Sequence, residues 1–167
     1  NIFAMKKLGV EVLISVSAVG SLVEDCPPGS FFLPDQFIDW TKGIRKRTFF
    51  GDGIVCHVSN ANPVDGKLIE LIEEEAKKLN LEIQSQGSYI CIEGPQFSSK
   101  AESEIYRGFG AKVIGMTNVP EAFLAKEAGI SYATIAMVTD FDCWKEEHCT
   151  VEEIMKVMLG NNKKVQN

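Results

Sequence analysis

The sequence has only two histidines, His57 and His148, and its five cysteines (Cys26, Cys56, Cys91, Cys143 and Cys149) form no C-x-x-C pair. That poverty excludes the usual zinc frameworks, so no metal site is expected, and an odd number of thiols reads as reduced cysteine. Cys143 and Cys149 can pair only if the turn between them brings them together, which spacing does not decide. Positive charge is also scarce: 17 Lys and Arg stand against 23 Asp and Glu, for a net charge of -6 and a pI near 5.0. This is the wrong sign for gripping a phosphate backbone, and the basic residues from Lys42 to Arg47 form only a short cluster, so nucleic acid is not an expected partner. No apolar run approaches 18 residues and no signal-peptide pattern opens the chain, so no membrane span is expected and a cytoplasmic location is. Repeats and low-complexity segments are lacking.

What is present is ordinary for a globular domain: 167 residues, 45% hydrophobic and 24% charged, enough for one domain with a sizeable core over residues 1–167. The order of patterns is alternating. Residues 1–9 read as the tail of an amphipathic helix and 10–19 as a strand that turns polar at Gly20-Ser21. Prolines 27, 28 and 34 argue against a long central strand after it. Residues 41–53, with three glycines, read as a surface loop and the best candidate for a mobile or partner-facing segment. A short strand is expected over 54–58, a helix over 65–80, where acids come early and lysines late, and strands over 81–83 and 88–92. Ser99 and Glu102 have the spacing of a capping box for a helix ending near Gly110. A strand over 112–115, a helix over 121–128, a strand over 132–138 and a last helical pattern over 151–165 follow. Helices alternating with strands predict an α/β fold with a mixed central sheet flanked by helices. Both ends stop inside helical patterns, so the chain is expected to be incomplete at each end.

The stretch Thr139-Asp140-Phe141-Asp142-Cys143-Trp144 places two acids where a core strand stops, the edge at which open α/β sheets bind ligands. The bland alternative is that Asp140 caps a turn and Asp142 the next helix. Likewise His57, alone, reads first as a structural histidine.

Seven stretches, in order, resemble the purine nucleoside phosphorylase superfamily and within it the 5′-methylthioadenosine phosphorylases: A-V-G-S-L (18–22), P-G-S-F-F-L-P-D-Q-F-I-D (28–39), V-C-H-V (55–58), I-E-G-P-Q-F-S-S-K-A-E-S (92–103), G-M-T-N-V-P-E (115–121), A-K-E-A-G-I-S-Y-A (125–133) and M-V-T-D-F-D-C-W (137–144). The resemblance implies reversible phosphorolysis, in which inorganic phosphate as co-substrate attacks the anomeric carbon of a nucleoside and no cofactor is needed. It implies that Ser17, the backbone N–H of Ala18, and Thr117 contact phosphate, that Met116 and Phe97 pack on the ribose, and that Asp140, as catalytic acid, and Asp142 read a 6-aminopurine. A carboxylate accepts from an exocyclic amine and is repelled by a 6-oxo group. Val151 and Ile154 would form an apolar 5′ pocket, and His57 would reach the 5′ pocket of a neighbouring subunit in a homotrimer. The family's Gly-rich phosphate loop and its phosphate-binding Arg-His pair have no counterpart here, nor has its last helix. Gly115 stands where some members carry Asn. Two alternatives stay open: a 6-oxopurine phosphorylase, and a non-catalytic nucleoside-binding fragment.

Overall fold

Residues 1–145 and 154–160 are described by the computed structural model. Among the described residues a seven-stranded sheet is flanked by helices, the elements running α1 (Ile2–Lys7), β1 (Val12–Ser21), β2 (Phe31–Leu33), β3 (Gln36–Trp40), α2 (Gly66–Lys78), β4 (Ile83–Ser85), β5 (Ser88–Ile92), α3 (Lys100–Gly108), β6 (Ala111–Gly115), α4 (Asn118–Glu127) and β7 (Ser131–Phe141). Residues 154–160 are helical as well. The strand order is β3-β5-β6-β1-β7-β2-β4. β1 runs parallel to β7 and antiparallel to β6, while β2 runs antiparallel to β7, so the sheet is mixed. The expected fold class is the one observed.

Alternation along β5 shows how both sheet faces are covered. Tyr89 and Cys91 pack with Phe37, Val119 and Phe123, whereas Ile90 and Ile92 pack with Tyr106 of α3 and Ile114 on the other face. Every residue from Tyr89 to Ile92 is buried, which accounts for its continuous apolar run. Local signals hold the helices. Asp65 caps α2 by accepting from Lys67 N–H at 3.0 Å, and Ser99 with Glu102 makes the capping box at the start of α3.

Five expectations need correction. The strand expected over 81–83 lies two residues further on, as β4 (Ile83–Ser85). Residues 54–58 are not a strand but an exposed loop, because Ile54 and Val55, at 64% and 76% exposure, find no sheet neighbour. Gly20 does not end β1 in a turn: Gly20 and Ser21 continue the strand, paired with Ile114 and Val113 of β6. β7 extends past Val138 to Phe141, so Asp140 lies in the strand and caps no turn. The helix expected from Glu121 is assigned from Asn118, but Val119 is extended (φ -120°, ψ 131°), so the chain kinks there before the regular helix.

Candidate active site

The site is made where β1 and β6 part. Their pairing is confined to Gly20–Ile114 and Ser21–Val113; beyond it Ser17 and Ala18 on β1 face the turn Met116–Thr117 that follows β6. One bond spans the gap, between the hydroxyls of Ser17 and Thr117 at 2.9 Å. Ser17 is buried, and Ala18 and Thr117 are exposed, so small residues leave strand backbone and two hydroxyls at an open edge. Beneath them lies Tyr89, wholly buried, its hydroxyl 3.5 Å from Ser17 Oγ. Burial pushes the phenol pKa up and keeps it protonated.

Tyr89 also explains Gly115. A Cβ at that position would stand 2.7 Å from Tyr89 Cζ and closer still to its hydroxyl oxygen. The phenol fills the volume that a side chain at 115 would take. Similarly, a Cβ on Gly94, whose φ is +69°, would lie 2.5 Å from Met116 Sδ, so the glycine makes room for that half-buried thioether.

On the other side of β1 a bulge in β7 aims the acids. Val19 pairs with Val138 but Gly20 pairs with Asp140, leaving Thr139 as the extra residue. Its hydroxyl turns back within reach of Val19 O (3.1 Å) and Asp140 Oδ1 (2.6 Å). A Cβ on Gly20 would come within 3.3 Å of Asp140 Oδ2 and 3.6 Å of Asp142 Cβ, so the two acids flank bare backbone. Both Asp142 N–H and Trp144 Nε1–H donate to Ser21 O at 2.9 Å, and the Arg107 guanidinium stacks 4.0 Å from the Trp144 ring centre. The tryptophan thus clamps the acids to the end of β1.

Burial drives the Asp140 carboxyl up to about 6, with Thr139 opposing and Asp142 adding to the rise. Burial also raises Asp142, against the nearby Ser103 hydroxyl. Asp142 Oδ2 and Ser98 Oγ are both buried without a hydrogen-bond partner among the described residues, and Ser98 O receives the Cys143 thiol at 3.2 Å. Unpaired buried polar atoms beside a raised carboxyl mark a place for polar ligand groups. Ser98 was not singled out in the sequence, where it is hidden beside the capping serine.

The remaining residues are less gathered. Phe97 is 73% exposed, His57 is exposed on the 54–58 loop, Ile154 is partly buried on the helical segment, and Val151 and Cys149 lie outside the described residues. A cavity of about 400 Å³ between α2 and the sheet, walled by Ile14, Phe31, Leu68 and Ile72, contains none of the candidate residues. Among the described residues no group of three or more His, Cys, Asp or Glu could hold a metal ion, and no helix is long and apolar enough to cross a membrane.

Comparison with known proteins settles the lineage: the phosphorylase superfamily model matches residues 1–167. The chain belongs to the phosphorylase superfamily. Among its superfamily relatives it is similar to the S-methyl-5′-thioadenosine phosphorylases of Rhodospirillum rubrum, 53% identical over all of this chain and 57% of that protein, and of Thermofilum pendens, 54% identical over 99% and 63%. A methylthioadenosine phosphorylase from an antarctic soil metagenomic library superposes with a TM-score of 0.91 at 47% identity, covering 99% of this chain and 59% of that one. The Schistosoma mansoni methylthioadenosine phosphorylase in complex with adenine gives 0.94 at 35% identity, covering 99% and 66%. The chain therefore spans less than two thirds of the curated relatives' length.

One residue of this superfamily member lay unread in the sequence. Arg45, in the loop expected to be mobile, drives its guanidinium under the Met116–Val119 turn. It donates to Glu93 Oε1 (2.8 Å), Met116 O (2.7 Å), Val119 O (2.6 Å) and Glu93 O (2.9 Å). Within the segment expected to be mobile or partner-facing, Arg45 is thus tied to the site's own turn. Replacing Arg45 by Met removes the donor to three carbonyls and to Glu93 Oε1, while Glu93 Oε2 keeps Lys42 N–H, and is expected to lower the melting temperature by about 5 °C or more. Arg45→Lys should recover little, since an ammonium lacks the planar fork that reaches all four acceptors. Thermal melts of the three proteins check this.

Proposed function

We propose that the protein cleaves 5′-methylthioadenosine with inorganic phosphate to give adenine and 5-methylthioribose 1-phosphate. The observation that carries it is that β1 has a carboxyl raised to about 6, Asp140, on its β7 side and a hydroxyl pair, Ser17 and Thr117, on its β6 side. Ser17 and Gly20 are three residues apart along β1, about 10 Å.

In this reading Ser17, Thr117 and the Ala18 N–H hold phosphate below the sugar, and Met116 and Phe97 pack on the ribose. A phosphate oxygen bonds to C1′ as the C1′–N9 bond breaks, and its electron pair moves into the purine. Protonated Asp140 donates to N7 and so neutralises that charge, while Asp142 accepts from the 6-amino group. No cofactor enters this scheme. Val151 and Ile154 form the 5′ pocket that favours methylthio over hydroxyl, with His57 from a neighbour. Exposed Ile54, Val55 and His57 support that second role, since a homotrimer would cover them. The assembly is cytoplasmic, in keeping with the lack of a spanning helix among the described residues.

The test is phosphate-dependent release of adenine from methylthioadenosine, beside inosine as control, with the polypeptide as its gene encodes it. Release from methylthioadenosine at least about a hundredfold more efficient than from inosine is expected, because a 6-oxo group would meet the Asp142 carboxylate, which accepts and cannot donate. Equal rates would favour a 6-oxopurine enzyme, and binding without release would reduce the protein to a nucleoside binder.

A further inference from the structure

Behind Thr117 the turn continues into Asn118, an amide with no exposed surface, and then through the buried Tyr132 phenol to the half-buried Glu121, a string of polar groups that the scheme above does not use. Read from its far end, every bond in the string has a forced direction. The phenol of Tyr132, on β7 and 2% exposed, lies 2.9 Å from Glu121 Oε1. Burial and Glu121 keep that phenol protonated, so its one proton goes to the carboxylate, which can only accept. The phenol oxygen must then receive, and Asn118 Nδ2 donates to it at 2.6 Å, beside the Ser15 hydroxyl on its other flank. That fixes the amide: Oδ1 faces the hydroxyl of Thr117, which donates at 3.3 Å. The Thr117 oxygen is left as the acceptor for Ser17 at 2.9 Å.

We propose that Asn118, Tyr132 and Glu121 are positioning residues for the anion end of the site. They hold Thr117 in one rotamer, with its proton aimed inward, before any oxyanion arrives. Ser17 is thereby the hydroxyl that can redirect its proton to an incoming phosphate oxygen without orphaning a buried group; if Thr117 did so first, Asn118 Oδ1 would lose its partner. The string reaches from the edge of the site into the packing between α4 and β7, so a residue remote from the phosphate sets how well it is received. This inference rests on the reading of Ser17 and Thr117 as phosphate contacts.

The experiment compares wild type with Asn118→Leu, Tyr132→Phe and the double variant, measuring separate KM values for inorganic phosphate and methylthioadenosine. Each single variant is expected to raise KM for phosphate about tenfold and to leave KM for the nucleoside within about twofold. The double variant should be no worse than the poorer single one, because the string is already broken. Asn118→Asp should fail to rescue, since it offers Tyr132 a second acceptor in place of a donor. Unchanged KM for phosphate in Tyr132→Phe, which removes one oxygen and preserves the packing, overturns the proposal, as does an equal rise in both KM values. Lack of phosphate-dependent release by wild type overturns the phosphorylase reading instead, and is seen before any variant is compared.

Discussion

Replacing Asp140 by alanine is expected to lower kcat/KM for methylthioadenosine by about 10²–10⁴, the range for loss of a positioned general acid. The substitution should leave the fold in place: among the described residues Asp140 makes its one side-chain bond to neighbouring Thr139, whose hydroxyl retains Val19 O as an acceptor. The acid does its work because of where β7 puts it. The bulge at Thr139 turns it toward the bare backbone of Gly20, and burial raises it to about 6. Below that value the carboxyl carries the proton that N7 takes; above it the donor is progressively lost, so the activity attributable to it should decline as pH rises through about 6. Stability follows the same direction. A group raised from 3.8 to about 6 stabilises the fold fully below 3.8, and that contribution is lost as pH rises through 6. Asp140→Asn removes the titration, so its denaturation midpoint should gain on wild type between pH 4 and pH 8. Its amide can also donate to a 6-oxygen, which should shift preference toward inosine. Turnover of Asp140→Ala equal to wild type would remove the acid from the mechanism, and an unchanged stability difference across that pH window would remove the cause assigned to its pKa.

Placing asparagine at Gly115 is expected to destabilise the protein by more than about 3 kcal/mol. The space is not empty: the Tyr89 ring lies 2.7 Å from where the Cβ would be, and Tyr89 is wholly buried among Val119, Val138 and Phe37. Neither the strand backbone nor the ring can yield without disturbing Ser17, which meets the Tyr89 hydroxyl. Shortening the tyrosine to valine in the same chain should recover most of the loss, because the two side chains compete for one volume. Denaturant midpoints of Gly115→Asn, Tyr89→Val and the pair measure this. Additive losses would mean that the glycine is required for some reason other than the phenol.

The helices, the strands β1, β5, β6 and β7 and the polar stretch at the end of β7 were legible from residue order alone, whereas β2 (Phe31–Leu33) and β3 (Gln36–Trp40), short and set on either side of Pro34, were not read as strands. Their signals are local: helical and alternating periodicity, Asp65 and Ser99 as caps, Gly110 at φ +77° closing α3, and a β-rich run before Asp140. The same locality explains the error over residues 54–58, whose strand-like composition met no partner strand. The candidate acids and hydroxyls could be named from seven ordered motifs, but not joined. That Thr139 is a bulge, that Gly20 lies between the two acids, that Tyr89 occupies the room above Gly115, and that Arg45 and the Asn118–Tyr132–Glu121 string hold the Met116–Thr117 turn all depend on register and on side chains meeting from distant elements. No periodicity encodes such meetings, because each bond direction is settled by which donors and acceptors the packed sheet brings within reach, and that is decided only when the strands have paired.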